Sequence, residues 1–542
     1  MIRLEQIRLP VGHTDDDLQK AVATVLKISP KDLKSLRVHR QGVDARHPQK
    51  IYLVYTVDVE VPDENFILSQ KTPHVSVATE VPYAVPNSPA FAKRPLIVGT
   101  GPAGLFAGLL LARAGAKPLL LERGQPVGRR VTDVQSFWTQ GTLNTESNVQ
   151  FGEGGAGTFS DGKLGTSIGD PRCRWVLERL VAAGAPPEIL YKAKPHVGTD
   201  RLRNVVKEIR HTIEEQGGAF RFGAKVTGLM VKEGRVTGVR VNDADVLESD
   251  SVVLAIGNAA RDTFEMLHRG GVGMEPKPFS IGVRIEHPRE WMDRGLHGSF
   301  AGHPQLGAAD YKMVHHRGQG PSAYTFCMCP GGVVMAGASE EGGVVTNGMS
   351  AFARNHPNSN SALMVGVSPV DFGDDHPLAG VSFQRKWERK AFVVGGGGFK
   401  APVQRVDDFL ARRPSQRFGV VSPSYRPGVT LANLWECLPD FVGAGLSDAL
   451  KAFNKRIENF THPDALLTGV ETRSSSPVRI RRDDSFQTNI RGLYPAGEGA
   501  GYAGGIMSSA VDGLRVAEKI LLKVEGAGRL AKSMFNSVNP KK

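Results

Sequence analysis

Apolar and polar positions alternate at the start of the chain and then change period. Ile2–Leu9 alternates as a strand does, and Asp15–Ile28 carries apolar residues at helical spacing behind Thr14, a hydroxyl suited to an N-cap. Alternation returns at Leu36–Asp44 and Ile51–Val61, joined by the turn-like Arg46-His47-Pro48-Gln49. A short helix at Glu64–Ser69 and a strand at His74–Val81 complete a βαββαβ order. This predicts a ferredoxin-like α+β domain over residues 1–88, a plan that fixes no function. The proline-rich stretch Val81–Pro89 reads as an extended linker.

From Arg94 the texture becomes buried strand, glycine turn, apolar helix, strand. Pro95-Leu96-Ile97-Val98 leads into Gly99-Thr100-Gly101-Pro102-Ala103-Gly104, then the apolar Leu105–Ala114, then Leu119-Leu120-Leu121-Glu122. Each part has a physical task. Gly99 permits a tight turn, Gly101 lets backbone amides reach a diphosphate, and Gly104 lets helix and strand pack closely. The diphosphate then lies at a helix N-terminus, where unpaired N–H groups favour negative charge. Glu122 is placed to bond ribose hydroxyls. An α/β Rossmann-like domain is expected in two parts, 94–270 and 464–530. A mainly β substrate domain, 271–463, is expected as an insertion between them.

Glu122 followed by Arg123-Gly124 and Gly128-Arg129-Arg130 resembles the FAD pattern of the glutathione-reductase-like flavoprotein superfamily. The resemblance implies that Arg129 or Arg130 approaches the adenosine or the phosphates. Two glycine-ended strands support FAD over NAD: Val252–Gly257, and Gly492-Leu493-Tyr494-Pro495-Ala496-Gly497-Glu498-Gly499. By the same resemblance the second passes the ribityl chain, and the helix beginning near Gly504-Gly505-Ile506 points its N-terminus at the flavin ring.

A closer resemblance is carried by GGAGTFSDGKL at Gly154–Leu164, HVGTD at His196–Asp200 and FSIGVRIEHP at Phe279–Pro288. TFCMCPGG at Thr325–Gly332 and GLYPAGEGAGYAGGIMSSA at Gly492–Ala510 extend it. These segments are similar to the uncharacterised bacterial FAD-dependent dehydrogenases, also described as NAD(FAD)-utilizing dehydrogenase-like. The resemblance covers most of the chain and implies one non-covalent FAD, but names no substrate. The expected cofactor contacts are Gly99, Gly101, Pro102, Ala103 and Gly104 of the fingerprint, Glu122, Arg123, Arg129 and Arg130, then Gly154, Gly155, Gly157, Thr158 and Lys163. Val226, Gly257, Gly497, Glu498, Gly504, Gly505 and Ile506 complete the set.

Composition changes this picture little. Hydrophobic residues make up 40% and charged residues 23% of the chain, and the 63 glycines suit a backbone that approaches a large ligand. The formal net charge of +12 is dispersed, which favours attraction of anionic cofactors and substrates over nucleic acid. Four cysteines, an N-terminus without a signal-peptide core and no apolar run of ~20 residues make the cytoplasm, with no membrane partner, the expectation.

Cys327 and Cys329 are the candidate catalytic pair. In an extended strand both thiols face one way and could relay electrons or a proton beside the flavin. The alternative is two small hydrophobes on a core strand. Val393-Val394-Gly395-Gly396-Gly397-Gly398-Phe399-Lys400 lacks the third fingerprint glycine and reads as a substrate-side loop, so NAD(P)H or a protein electron carrier is expected only as a transient partner. No Cys/His grouping has metal spacing. The expected activity is hydride exchange between flavin N5 and a small-molecule substrate. An RNA-associated or tRNA-modifying flavoprotein and a flavin monooxygenase are the competing readings.

Overall fold

The structure is a computed structural model describing residues 1–80, 82–86, 91–166, 168–318 and 320–538, with side chains as far as residue 523. Val81, at the end of the expected fourth strand, and Asn87–Pro89 of the expected linker lie outside the described residues.

The first strands run Ile2–Pro10, Ser35–Asp44, Tyr52–Glu60 and Val75–Val77, and the helices Asp15–Leu26 and Glu64–Ser69. Thr14 caps the first helix by accepting from the Asp17 amide, while the Asp17 carboxylate accepts from the Thr14 amide. In the antiparallel sheet Ser35–Asp44 lies beside Tyr52–Glu60, then Ile2–Pro10, then Val75–Val77. One edge does not stay free. Gln41 exchanges two backbone hydrogen bonds of 2.8 Å with Tyr191 and Ala193, docking this unit on the next.

The second unit is a five-stranded parallel sheet in the order Leu493–Pro495, Val252–Leu254, Leu96–Val98, Leu119–Leu121, Ala219–Arg221. Its first helix, Pro102–Arg113, is apolar all round because it is covered on more than one side. The C-terminal helix Ile506–Val538 lies along it, and Thr199–Glu215 packs beside it. The long contact needs glycine: a Cβ on Gly513 would strike the Ala103 carbonyl. A three-stranded antiparallel meander, Val226–Lys232, Arg235–Val241 and Asp245–Glu248, flanks the sheet.

The third unit is a seven-stranded mixed sheet. Its central strand Phe279–Pro288 lies between Asn358–Val367 and Leu466–Glu471. The helices Ala379–Val394 and Asp440–Asn454 contribute to its core, so it is less purely β than its sequence texture suggests. The expected boundary at 463/464 is corrected, because Leu466–Glu471 hydrogen-bonds within this sheet and not within the parallel one. An apolar strand buried on both faces reads alike in either sheet, so the pattern could not assign it. The four-glycine segment follows a helix and precedes the strand Ala401–Arg405, so it offers no helix N-terminus to a phosphate. Among the described residues no helix is long and apolar enough to cross a membrane.

Candidate functional site: a dinucleotide cradle between two sheets

Gly99 adopts φ +99°, and a Cβ on it or on Gly104 would collide with a backbone carbonyl, of Ala255 and of Gly99 respectively. The turn is therefore as tight as the fingerprint requires. Helix Pro102–Arg113 begins at Gly101 with no side-chain cap, which leaves its first N–H groups available. Gly154 donates to the Thr100 carbonyl at 2.9 Å, laying the loop Gly154–Leu164 across this start. A Cβ on Gly155 would lie 2.9 Å from Gly101 Cα, and one on Gly157 would lie 3.2 Å from Ile506 Cγ1 and 3.8 Å from Pro102 Cγ.

Pro102, Gly157 and Ile506 thus meet, although the last lies some 350 residues further along the chain. Around them Ala156, Gly257, Gly504 and Gly505 are exposed. A Cβ on Gly257, Gly504 or Gly505 would meet no protein atom within 4 Å. Bare backbone, an uncapped helix start and open space form a cradle that fits the diphosphate and ring of a flavin dinucleotide. Glu498 adjoins it. Asn258 Nδ2 donates to Glu498 Oε1 at 2.7 Å. Burial pushes the Glu498 carboxyl up to about 7, against the opposing pull of Asn258 and Lys277. Asn258 was not singled out from sequence, although it directly follows the glycine-ended strand.

Other expected contacts build the cradle from behind. Ala103 and Gly497 pack together, with a Cβ on Gly497 falling 2.7 Å from that of Ala103. Glu122 is not free for ribose. Its Oε2 accepts from the Thr100 amide and hydroxyl at 3.0 and 2.7 Å, and its Oε1 from the amides of Gly124 and Gly152 at 3.0 and 2.9 Å. Four donors fill a carboxylate's acceptor positions, so here it ties the loops together. Arg130 is likewise corrected. It is fully buried and donates to the carbonyls of Asn148, Val149, Gly152 and Glu153, and burial pushes it down to about 10.

Arg129, the neighbour of Arg130 in the first turn of the helix Val127–Gln140, is exposed. Arg123 bridges Asp262 and Glu146 and lies 4.1 Å over the Phe151 ring. Thr158 is buried and donates to the Glu153 carbonyl, and the Val226 side chain sits in the core with Leu121 and Val241. Gly154 (φ +83°) has no room for a Cβ beside Thr158.

Lys163 points away from the cradle, toward the substrate sheet. It donates to the Met328 carbonyl and pairs with Asp161 at 2.9 Å. Burial alone would raise Asp161, but Lys163 and Arg354 hold it below the ordinary carboxylate range.

The expectation that both thiols share a face is overturned. The strand Ala323–Cys329 bulges between Phe326 and Cys329 against its neighbour, and Cys327 takes φ +40°. The extra residue resets the alternation, leaving Cys327 exposed and Cys329 buried. Both are free thiols. Desolvation by the surrounding protein raises the Cys327 thiol, while Lys163 and Arg284 pull it down. The carbonyl of Cys327 accepts from Arg284 Nη1 at 2.9 Å.

The model of an FAD-dependent protein, C-terminal domain-like, matches residues 278–474. A model of an NAD(P)-binding Rossmann-like domain matches 97–154, and a domain of unknown function matches 1–60. An uncharacterized protein of Clostridium beijerinckii is 47% identical over 529 residues, 97% of this chain and 99% of its own. The probable electron transfer flavoprotein-quinone oxidoreductase YdiS of Escherichia coli K12 is 28% identical over 202 residues, 35% of this chain and 42% of its own. Among solved structures, the flavin-dependent brominase Bmp2 aligns with a TM-score of 0.39 at 14% identity, over 80% of each chain. The protein is an FAD-dependent oxidoreductase with a Rossmann-like nucleotide-binding fold. It belongs to the FAD-dependent oxidoreductase family that includes the Clostridium beijerinckii protein.

Proposed function

We propose that this oxidoreductase is a dehydrogenase or reductase acting on a small molecule held between the cradle and the seven-stranded sheet. When bound, FAD supplies the hydride donor or acceptor at N5. The chain supplies the rest. The uncapped start of Pro102–Arg113 holds the diphosphate, and the start of Ile506–Val538 favours negative charge where it points. Glu498, pushed up to about 7 by burial, can gain or lose a proton near neutral pH beside the cradle. Cys327 stands exposed on the substrate sheet while Cys329 is buried, which suits a single proton donor better than a dithiol relay. Placement in the glutathione-reductase-like superfamily is part of this reading, supported by Glu122, Gly257 and Gly497 each closing a parallel strand.

The observation that carries the proposal is the meeting of Pro102, Gly157 and Ile506 around exposed glycine backbone. Purified protein is expected to be yellow, to release FAD on denaturation, and to bleach anaerobically with a suitable donor. A colourless protein that takes up no FAD overturns it. The monooxygenase reading requires oxygen-dependent NADPH consumption with a hydroxylated product. The RNA reading is disfavoured by the N-terminal sheet, where Arg3 and Arg37 both bond Asp58, at 2.7 and 3.1 Å, and Arg37 also bonds Glu80 at 2.5 Å, so that two carboxylates neutralise the pair within the protein.

A further inference from the structure

The helix Ala379–Val394 has two unlike sides. Its inner side is tied to the dinucleotide unit through Gln384 and Glu388, which both accept from Arg261. Arg261 begins the helix just after the glycine-ended strand at Gly257. Its outer side presents Ser382, Lys386, Arg389, Lys390 and Val393, all exposed and spaced at one face of a helix. This face borders an open groove of about 740 Å³ with Glu436 on the far wall.

Among the described residues Lys386, Arg389 and Lys390 form no salt bridge, whereas Arg385 beside them is bonded to Glu265 and Glu340. The two lysines are held in place, 5.2 and 4.6 Å from the Trp387 ring. At the end of the row Val393 is 75% exposed. Fixed, unneutralised cations beside an exposed apolar residue resemble the rim and centre of a transient protein interface. They do not resemble a nucleic-acid track, since Trp387 is 7% exposed beneath the lysines and presents no face for a base.

We propose that this face docks the acidic surface of a small one-electron carrier protein that exchanges electrons with the bound FAD. This rests on the dehydrogenase reading above, which needs an electron partner and finds no second nucleotide-binding turn at the four-glycine segment. The outer face lies across the helix from Gln384 and Glu388, which hold Arg261 of the cofactor unit. In the reductive direction two reduced carriers each give one electron, and FAD takes both with one proton to become FADH⁻.

The test uses the full-length, FAD-loaded protein with reduced flavodoxin, an acidic carrier, as the probe. Stopped-flow reduction by flavodoxin is expected to slow at least about tenfold between low and physiological salt. The variant K386E/R389E/K390E is expected to lose about tenfold in rate at low salt, and equally in flavodoxin affinity measured by surface plasmon resonance. Its FAD content and its reduction by dithionite are expected to stay as in the parent. A variant that reacts and binds like the parent overturns the proposal, as does loss of NADPH oxidation or RNA retention in its place. Absence of FAD, or a flavin that dithionite does not reduce, would instead sink the dehydrogenase reading.

Discussion

Arg261 and Glu388 face each other across the junction of the two main units, joined by hydrogen bonds of 2.7 and 2.9 Å, and both are almost wholly enclosed. Glu388 also accepts from Arg473 and from the Thr472 hydroxyl. Burial alone would raise Glu388, but the two arginines hold it well below the usual carboxylate range. Glu388→Ala leaves buried Arg473 without its counter-ion and Arg261 with Glu340 alone, and is expected to cost about 3–5 kcal/mol, read by urea unfolding. A variant unfolding at the parent's midpoint would show the junction to be held by other contacts.

The same carboxylate sets an acid limit. Its folded pKa lies below the unfolded one, so its stabilisation is complete above roughly pH 4–5 and fades as pH falls. Glu498 has the opposite sign. Its pKa rises from 4.5 to about 7 on folding, so its contribution is best below 4.5 and is lost as pH climbs through 7. Between about pH 5 and 8 the FAD-free protein is expected to lose a few degrees in Tm, a slope that Glu498→Gln removes. An unchanged slope in that variant would assign the titration to another group.

Gly504→Ala and Gly155→Ala separate space from support. Gly504 has no neighbour within reach of a Cβ, so its variant should unfold within about 0.5 kcal/mol of the parent while binding FAD more weakly. Gly155 combines φ +62° with the close approach to Gly101, so its variant should lose both stability and FAD. Equal FAD affinity in Gly504→Ala would move the ring elsewhere.

Alkylation distinguishes the two strand thiols. Iodoacetamide on the native protein is expected to reach Cys327 and spare Cys329 and Cys437, both buried. Cys327 should react well before either, because it alone of the three is exposed. Mass spectrometry showing Cys329 modified first, or a 327–329 disulfide under mild oxidant, would restore the dithiol relay.

The dinucleotide unit was legible because its signals are local. The strand Leu96–Val98, the turn at Gly99–Gly104 and the apolar helix occupy consecutive residues, and Gly99 and Gly104 each answer to one close approach. Illegible features depend on distant partners. The bulge at Cys327 is a register event against Asn358–Val367, so alternation within Ala323–Cys329 could not reveal it. Arg130 and Arg129 are adjacent and alike in sequence, yet only helix geometry decides which is enclosed by the loop at 148–153. The strand Leu466–Glu471 was misassigned because burial on both faces erases the mark of the sheet it joins.

Pro102 and Ile506, which meet beside Gly157 in the cradle, lie some 400 residues apart in the chain. During synthesis the ribosome releases the first wall long before the last, and the middle of the parallel sheet waits for Leu493–Pro495 to fill its edge. Loading of the prosthetic group therefore belongs to the finished chain. A chain truncated before that closing helix is expected to take up no FAD, its berth half built.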